Sequence, residues 1–380
     1  MSVDICPVGS RRALREFIEY TAQLYQGNKQ WVPVFKADYR DFYERTHPFF
    51  EHAEAEFLVA RRDHDPVARV MMIKNDRYNA YHDRATAHFY FADFIDDEEV
   101  TETLFGAMAD WARDHGLNEL MGPLFSGATF GGGVLVKGHD HPAAMTMMPY
   151  NYAYYQHHYE HAGFQKHFDL YSLTIDPKTF RLPEKVERLA DHVRKRGRMK
   201  VVEFRSKSEL EAVAREVGKL YNPTLADHYE NYPLTDNELE RVIKDLLQIA
   251  QPDLEKVITY DTDVVGYMLG FPDVTPALQK CRGRLTPVST LRLLYRSRHT
   301  RKLILNGMAI LERYQRLGGN ALIYSEIART VQGTPSYDFD VAEIVQINEQ
   351  TDLMLSDMRR LGADVHKIHR VYRKQLKEAL

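Results

Sequence analysis

The chain has 380 residues, 44% of them apolar and 27% charged, with a formal net charge of -4. That length allows two domains with separate cores, and that charge gives no reason to expect nucleic acid as the main partner. Two cysteines, Cys6 and Cys281, stand far apart without metal-ligand spacing, so neither a disulfide framework nor a zinc ribbon is expected and a reducing cytoplasm fits. No basic stretch leads into an apolar one at the start, and no run approaches about 18 apolar residues, so neither a secretory signal nor a membrane span is expected. The 23 Tyr and 18 Phe read as aromatic-rich cores or as the lining of a hydrophobic groove.

In chain order, a strand from Val3 to Val8 is followed by Ser10 as a candidate cap. A helix then runs from Arg12 to Tyr25, with Leu14, Phe17 and Ile18 near helical spacing. Strands are expected at Glu56 to Arg61, Val67 to Ile73 and Ala85 to Phe91. A helix starts near Asp96 or Asp97, buries Val100, Leu104, Met108 and Trp111, and stops at Gly116. Glu119 to Leu124 reads as a strand. The run Gly131 to Gly133 reads as a turn or bulge rather than a phosphate nest, because Val134 to Val136 resumes as strand.

The second half repeats this grammar. It has a strand at Arg198 to Phe204, a capping box at Ser208 to Glu211 opening a helix to Tyr221, and strands at Lys256 to Tyr260 and Val264 to Phe271. A further strand, a helix from about Gly318 to Thr330 and a strand from Val341 to Ile347 follow. Two stretches about 199 residues apart echo each other: Tyr154 to Phe164 and Leu353 to Ala363 each end a helix at a glycine and turn into an alternating run. The fold class expected is α+β, built from two copies of one domain. The seam falls in Asp176 to Pro183, giving domains 1–178 and 179–380.

The strongest ligand-site signal is the strand-to-helix junction from Met308 to Tyr324, which contains Gly318 and Gly319. Glycines there admit a close backbone approach, the exposed N–H groups of a helix start favour phosphate oxygens, and Arg313 and Arg316 add charge. Adjacent glycines at a helix start are also common in plain structural turns.

This junction and the echo helix resemble the acyl-CoA-binding half of the GCN5-related N-acyltransferase (GNAT) superfamily, whose pyrophosphate loop follows Gln/Arg-x-x-Gly-x-Gly/Ala. Two frames fit: Arg316-x-x-Gly319-x-Ala321 matches fully, and Gln315-x-x-Gly318-x-Asn320 aligns Tyr314 and Tyr324 better. The second is preferred, although it puts Asn in the last place. The segments Trp31-Val32-Pro33, Pro48 to Ala53, Gly122-Pro123, Met148 to Asn151, Tyr232 to Thr235 and Gly270 to Asp273 resemble bacterial tandem-GNAT proteins. The resemblance covers nearly the whole chain and implies two GNAT-like domains, each a mixed, mostly antiparallel sheet flanked by helices. It also implies transfer of an acyl group from acetyl-CoA or a longer acyl-CoA, a co-substrate rather than a covalently bound cofactor, to a small-molecule or lipid amine.

On that resemblance, the cofactor-binding residues would be Met308, Ala309 and Ile310 for the pantetheine arm, and Gln315, Arg316, Leu317, Gly318, Gly319, Asn320 and Ala321 for the phosphates. The usual Tyr acid, four before Gly362, is Met358. The matching residue of the first half is Tyr159, but that half lacks the loop glycines, so no donor site is expected there. Tyr159 and Tyr324 are the candidate acids, and His228 is a candidate base. A domain that has lost its acid would instead bind ligand or assemble without catalysis. His157 and His161 are four apart on a helix, but no third metal ligand is fixed by spacing, so no metal is expected. The basic segment Arg292, Arg296, Arg298, His299, Arg301 and Lys302 interleaves with Leu291, Leu293, Leu294 and Tyr295. It reads as a solvated face, as a contact to CoA phosphates, or as a weak contact to an anionic membrane, which would suit a long-chain amine. A homodimer through a sheet edge is compatible with such a fold.

Overall fold

The computed structural model describes residues 2–125, 131–225 and 230–377. The chain runs β1 (Val3–Pro7), α1 (Arg11–Leu24), α2 (Lys36–Tyr43), β2 (Ala53–Arg62), β3 (Asp65–Asn75), α3 (Asp76–His82), β4 (Thr86–Phe94) and α4 (Glu98–Asp114). Then come β5 (Glu119–Gly122), β6 (Val134–Lys137), α5 (Tyr154–His161), β7 (Gln165–Ile175), α6 (Glu184–Arg196) and β8 (Met199–Val202). Next are α7 (Lys207–Gly218), α8 (Tyr221–Leu225), α9 (Asp236–Ile249), β9 (Lys256–Tyr260), β10 (Asp263–Pro272), α10 (Thr275–Cys281) and α11 (Pro287–Arg298). The chain continues through β11 (Lys302–Ile310), α12 (Gly319–Gly333), β12 (Val341–Asn348), α13 (Asp352–Arg360) and β13 (Asp364–Gln375).

It divides into two compact units. The first comprises Met1–Leu170, Thr275–Leu291 and Lys367–Leu380, and the second Tyr171–Val274 and Arg292–His366. The division falls between Leu170 and Tyr171, not at 178/179, and it cuts through both strands that follow the echo helices. A seam inside a continuous strand carries no proline or glycine to mark it.

In the first unit the sheet order is β1-β2-β3-β4-β5-β13, with β6 also on β13. All these pairs are antiparallel except β4–β5. One face packs on α4 and α5 through Val100, Leu104, Met108, Tyr155 and Tyr159. The other packs on α1 and α2 through Leu14, Phe17, Tyr39 and Phe42. The helix boundaries have local causes. The Ser10 hydroxyl accepts from the Ala13 N–H, and Gly116 and Gly163 sit at φ +71° and +80°, where a helix stops.

In the second unit the order is β12-β11-β10-β9-β8, with only β11–β12 parallel. Val193 of α6, Leu322 and Ile323 of α12, and Leu355 and Met358 of α13 cover one face. Leu220, Val217 and Leu225 meet Tyr267 and Ala309 on the other. The cap expected at Ser208 lies two residues earlier, at Ser206, and it is not a full capping box. Ser206 accepts from the Glu209 N–H and the Glu209 carboxylate accepts from the Arg205 N–H, so Glu209 takes the role given to Glu211.

Candidate active site

The site begins with strand irregularity. Between the pairs Gly270↔Leu305 and Met268↔Met308, Leu269 faces two residues, Asn306 and Gly307. This is a β-bulge, and Gly307 adopts φ +97°, a value that favours glycine. The parallel ladder between β11 and β12 runs from Lys302↔Val341 only to Leu305↔Ile344, although β11 continues to Ile310 and β12 to Asn348. Past the bulge, Met308, Ala309 and Ile310 have β10 on one side and are released from β12 on the other.

The chain then makes one 3-10 turn, Glu312–Tyr314, and enters α12. Gln315 has an extended backbone, and its side-chain amide donates to the Ile310 carbonyl at 3.0 Å. That bond ties the loop back to the strand. Arg316 and Gly318 are left-handed at φ +61° and +91°. Gly318 is the N-cap of α12, and no side chain among the described residues caps the helix. The N–H groups of Gly319, Asn320 and Ala321 therefore keep the unfilled donor capacity and partial positive charge of a helix start. The Arg313 guanidinium lies over the Tyr314 ring, 4.9 Å from its centroid, and Tyr314 packs on Tyr260. Arg313 and Arg316 are exposed and make no ion pair among the described residues. Two free guanidiniums beside an uncapped helix start form an anion-binding arrangement.

Packing explains the loop's shape. A Cβ on Gly318 would lie 2.6 Å from Val193 of α6, and one on Gly319 would lie 2.9 Å from Ile310. Helix α6 is held against α12 by Arg194, which donates to Ser325 and Glu326, and by Glu187, which accepts from Ser325 and Arg329. Nothing in the residue pattern pointed to α6 setting this junction. The bulge was also missed, and Gly307 inside a strand pattern was the signal that could have found it.

The predicted acids divide between the units. Tyr159 belongs to the first unit and is fully buried, stacked on Tyr372 and edge-on to Phe164, and its hydroxyl has no hydrogen-bond partner among the described residues. Burial holds its proton far more tightly than usual. Tyr324 lies on α12 in the second unit, buried at 8% exposure, with its hydroxyl 3.7 Å from Met354 Sδ. Burial first, then the Asp357 carboxylate, raises its pKa, so it stays protonated through neutral pH. Asn320 donates to the same Asp357 at 3.5 Å. Met358 is a core residue of α13 at 3% exposure. His228 lies outside the described residues, as do Gly127 to Phe130.

The corresponding place in the first unit is built differently. Strand β4 has the same bulge, with Phe91 and Ala92 facing Val70, and Phe91 is left-handed at φ +49°. The space beside it is filled. Tyr39 and Phe42 pack on Phe91, and the buried Arg69 guanidinium lies over Phe17, Tyr39 and Phe91 while pairing with Asp93 at 2.8 Å. Asp97 caps α4 by accepting from the Val100 N–H, and Asp96, Glu98 and Glu99 crowd the same helix start. Arg62 pairs with Asp97 and Glu99, and His158 Nε2 donates to the Asp96 carboxylate at 2.8 Å.

Other candidates also resolve. His157 and His161 stack on each other and His157 lies 3.8 Å from Glu98, while no group of three or more His, Cys, Asp or Glu able to hold a metal occurs among the described residues. Gly131 packs against the Met147 carbonyl and Gly133 sits at φ +87° before β6, a close-packed turn. Arg301 pairs with Asp338 and Asp340, and Lys302 with Glu343, which takes both out of the basic segment's free charge.

A bulged strand beside a short parallel ladder, followed by a helix entry, occurs in each unit, and by fold the chain is similar to tandem GNAT proteins. Its structure matches a tandem GNAT protein from the clavulanic acid biosynthesis pathway over the whole of both chains, with a TM-score of 0.56 at 10% identity. In sequence it is 26% identical over 381 residues to the bacterial ceramide synthase of Caulobacter vibrioides (strain NA1000 / CB15N), covering 98% of each chain. It is 24% identical over 372 residues to Protein YghO of Escherichia coli (strain K12), covering 97% of this chain and 94% of that one. No family model matches. Among the described residues no helix is long and apolar enough to cross a membrane.

Proposed function

We propose that the second unit is an acyl-CoA-dependent N-acyltransferase that works in the cytoplasm and takes long-chain donors and a long-chain amine acceptor. The observation that carries this reading is the uncapped start of α12, set behind left-handed Arg316 and Gly318 at the end of a bulged strand released from its parallel neighbour. The relative named a ceramide synthase supplies the chain-length preference, since a ceramide is the amide of a fatty acid and a long-chain amino alcohol.

In this reading the pyrophosphate lies against the N–H groups of Gly319, Asn320 and Ala321, with Arg313 and Arg316 beside it. The pantetheine amides pair with the backbone of Met308, Ala309 and Ile310. The acceptor amine attacks the thioester carbon, and a β11 N–H stabilises the charge that develops on the carbonyl oxygen. The C–S bond breaks, the thiolate takes the Tyr324 proton, and the amine's proton passes to water or to His228. A second reading, CoA binding without turnover, is favoured by Met358 at the usual acid position.

A thermal-shift titration with CoA, acetyl-CoA and palmitoyl-CoA, followed by thiol release with long-chain amines, tests both. We expect saturable stabilisation, largest with palmitoyl-CoA, and thiol release that depends on the amine. Stabilisation without thiol release favours the second reading, and no stabilisation by any thioester ends both.

A further inference from the structure

Helix α11 is built inside out. Its inward side holds Ser289, which is buried and bonds the Thr286 N–H and the Arg284 carbonyl, with Leu293, Arg296 and Ser297 half-buried beside it. Its outward side carries Val288, Leu291, Leu294 and Tyr295 at 66%, 67%, 55% and 62% exposure, and Leu285 just before the helix is 55% exposed. At 100° per residue these side chains form one stripe. A helix of a water-soluble domain would point that stripe at the core. A contiguous exposed apolar patch of this kind marks a surface that something covers.

The charge around it says what. From Val274 to Leu311 there is no Asp or Glu, while Lys280, Arg282, Arg284, Arg292, Arg296, Arg298, Arg301 and Lys302 all fall within that stretch of a chain whose net charge is negative. Arg301 and Lys302 are spent on carboxylates. Lys280, Arg282, Arg284, Arg292, Arg296 and Arg298 make no ion pair among the described residues. An exposed apolar stripe edged by unpaired guanidiniums is complementary to an anionic bilayer surface. There the leucines enter the acyl boundary, Tyr295 sits at headgroup level and the arginines meet phosphates.

We propose that α11 docks this protein, reversibly, on membranes containing anionic phospholipids. Docking does not depend on the acyltransferase reading, but it deepens it, because a long-chain amine resides in a bilayer and would be reached from there.

The test is co-sedimentation of the full chain with vesicles of phosphatidylcholine alone and of equimolar phosphatidylcholine and phosphatidylglycerol, with CoA binding measured on the same preparation. We expect binding to the mixed vesicles only, weakened by added salt. The paired change Arg292→Glu with Arg298→Glu is expected to weaken it about tenfold or more. Leu291→Ser with Leu294→Ser is expected to abolish it, with CoA binding and Tm unchanged because these side chains are exposed. In Tyr295→Trp, the added indole is expected to shift to the blue on mixed vesicles alone. Equal sedimentation with both vesicle types, or none with either, overturns the inference whatever CoA does. So does concentration-dependent self-association removed by the leucine changes, which would assign the stripe to a second copy.

Discussion

The two strand-to-helix junctions start from the same device and end in opposite chemistry. Both β4 and β11 carry a two-residue bulge with a left-handed residue, just past a short parallel ladder. In the first unit the left-handed residue is Phe91, buried under Tyr39 and Phe42, and the following helix is capped by its own Asp97 amid further carboxylates. In the second it is the exposed Gly307, and among the described residues the following helix has no side-chain cap and two arginines without ion pairs nearby. A pyrophosphate offered to the first junction would meet Asp96, Asp97, Glu98 and Glu99. Offered to the second, it would meet free N–H groups and guanidiniums. The scaffold is shared, and the few residues at each helix start differ in the charge they would present to an anion.

That contrast can be broken from either side. The largest effect expected is on stability in the first unit. Asp93→Asn leaves Arg69 buried without its carboxylate, and denaturant unfolding should report a loss of about 3–5 kcal/mol, with CoA stoichiometry unchanged in the folded fraction. Next is Gly318→Glu, which places a carboxylate at the α12 start and should weaken CoA binding by at least ~100-fold, about 3 kcal/mol, in calorimetry. Gly318→Ala imposes the same left-handed strain of about 1–2 kcal/mol and the same Cβ contact with Val193 without the charge, so affinity it keeps that Gly318→Glu loses is owed to the carboxylate. Arg316→Ala should cost about 1.5 kcal/mol of CoA affinity and remove part of its salt dependence.

The smallest effects fall on Asp97. Asp97→Ala loses a helix cap and should lower stability by about 1 kcal/mol without creating a CoA site, because the neighbouring carboxylates remain. The Arg62 guanidinium bonded to it, joined by the Val100 N–H, holds the Asp97 carboxyl below its ordinary value. Its contribution is therefore complete above a pH of about 4 and is lost as the pH falls through the lower folded value. Tm measured between about pH 5 and pH 2 should fall less steeply in Asp97→Ala than in the parent. An equal slope would mean that the pair adds nothing.

Much of the fold was legible because its signals are local. Ser10, Asp97, Gly116, Gly163 and Gly362 act within a turn of their helix, and each behaves as its residue type dictates. The echo helices were legible for the same reason. The division of β7 and β13 between the units was not, since strand partners far apart in sequence leave no mark on the strand itself. At the candidate site, the glycines of the junction could be read, whereas the hold of α6 on Gly318 through Val193 depends on residues about 125 positions apart. That the first unit would hold no donor site was an expectation drawn from missing glycines alone. The acidic cap that fills the place was visible as Asp96-Asp97-Glu98-Glu99 but was read only as a helix start.

The most direct test of the contrast is calorimetric titration of the intact chain with palmitoyl-CoA, in parallel with the Gly318→Glu variant. One site per chain in the parent and none in the variant is expected if only the second junction takes the pyrophosphate. Two sites per chain, or a single site untouched by Gly318→Glu, would contradict it.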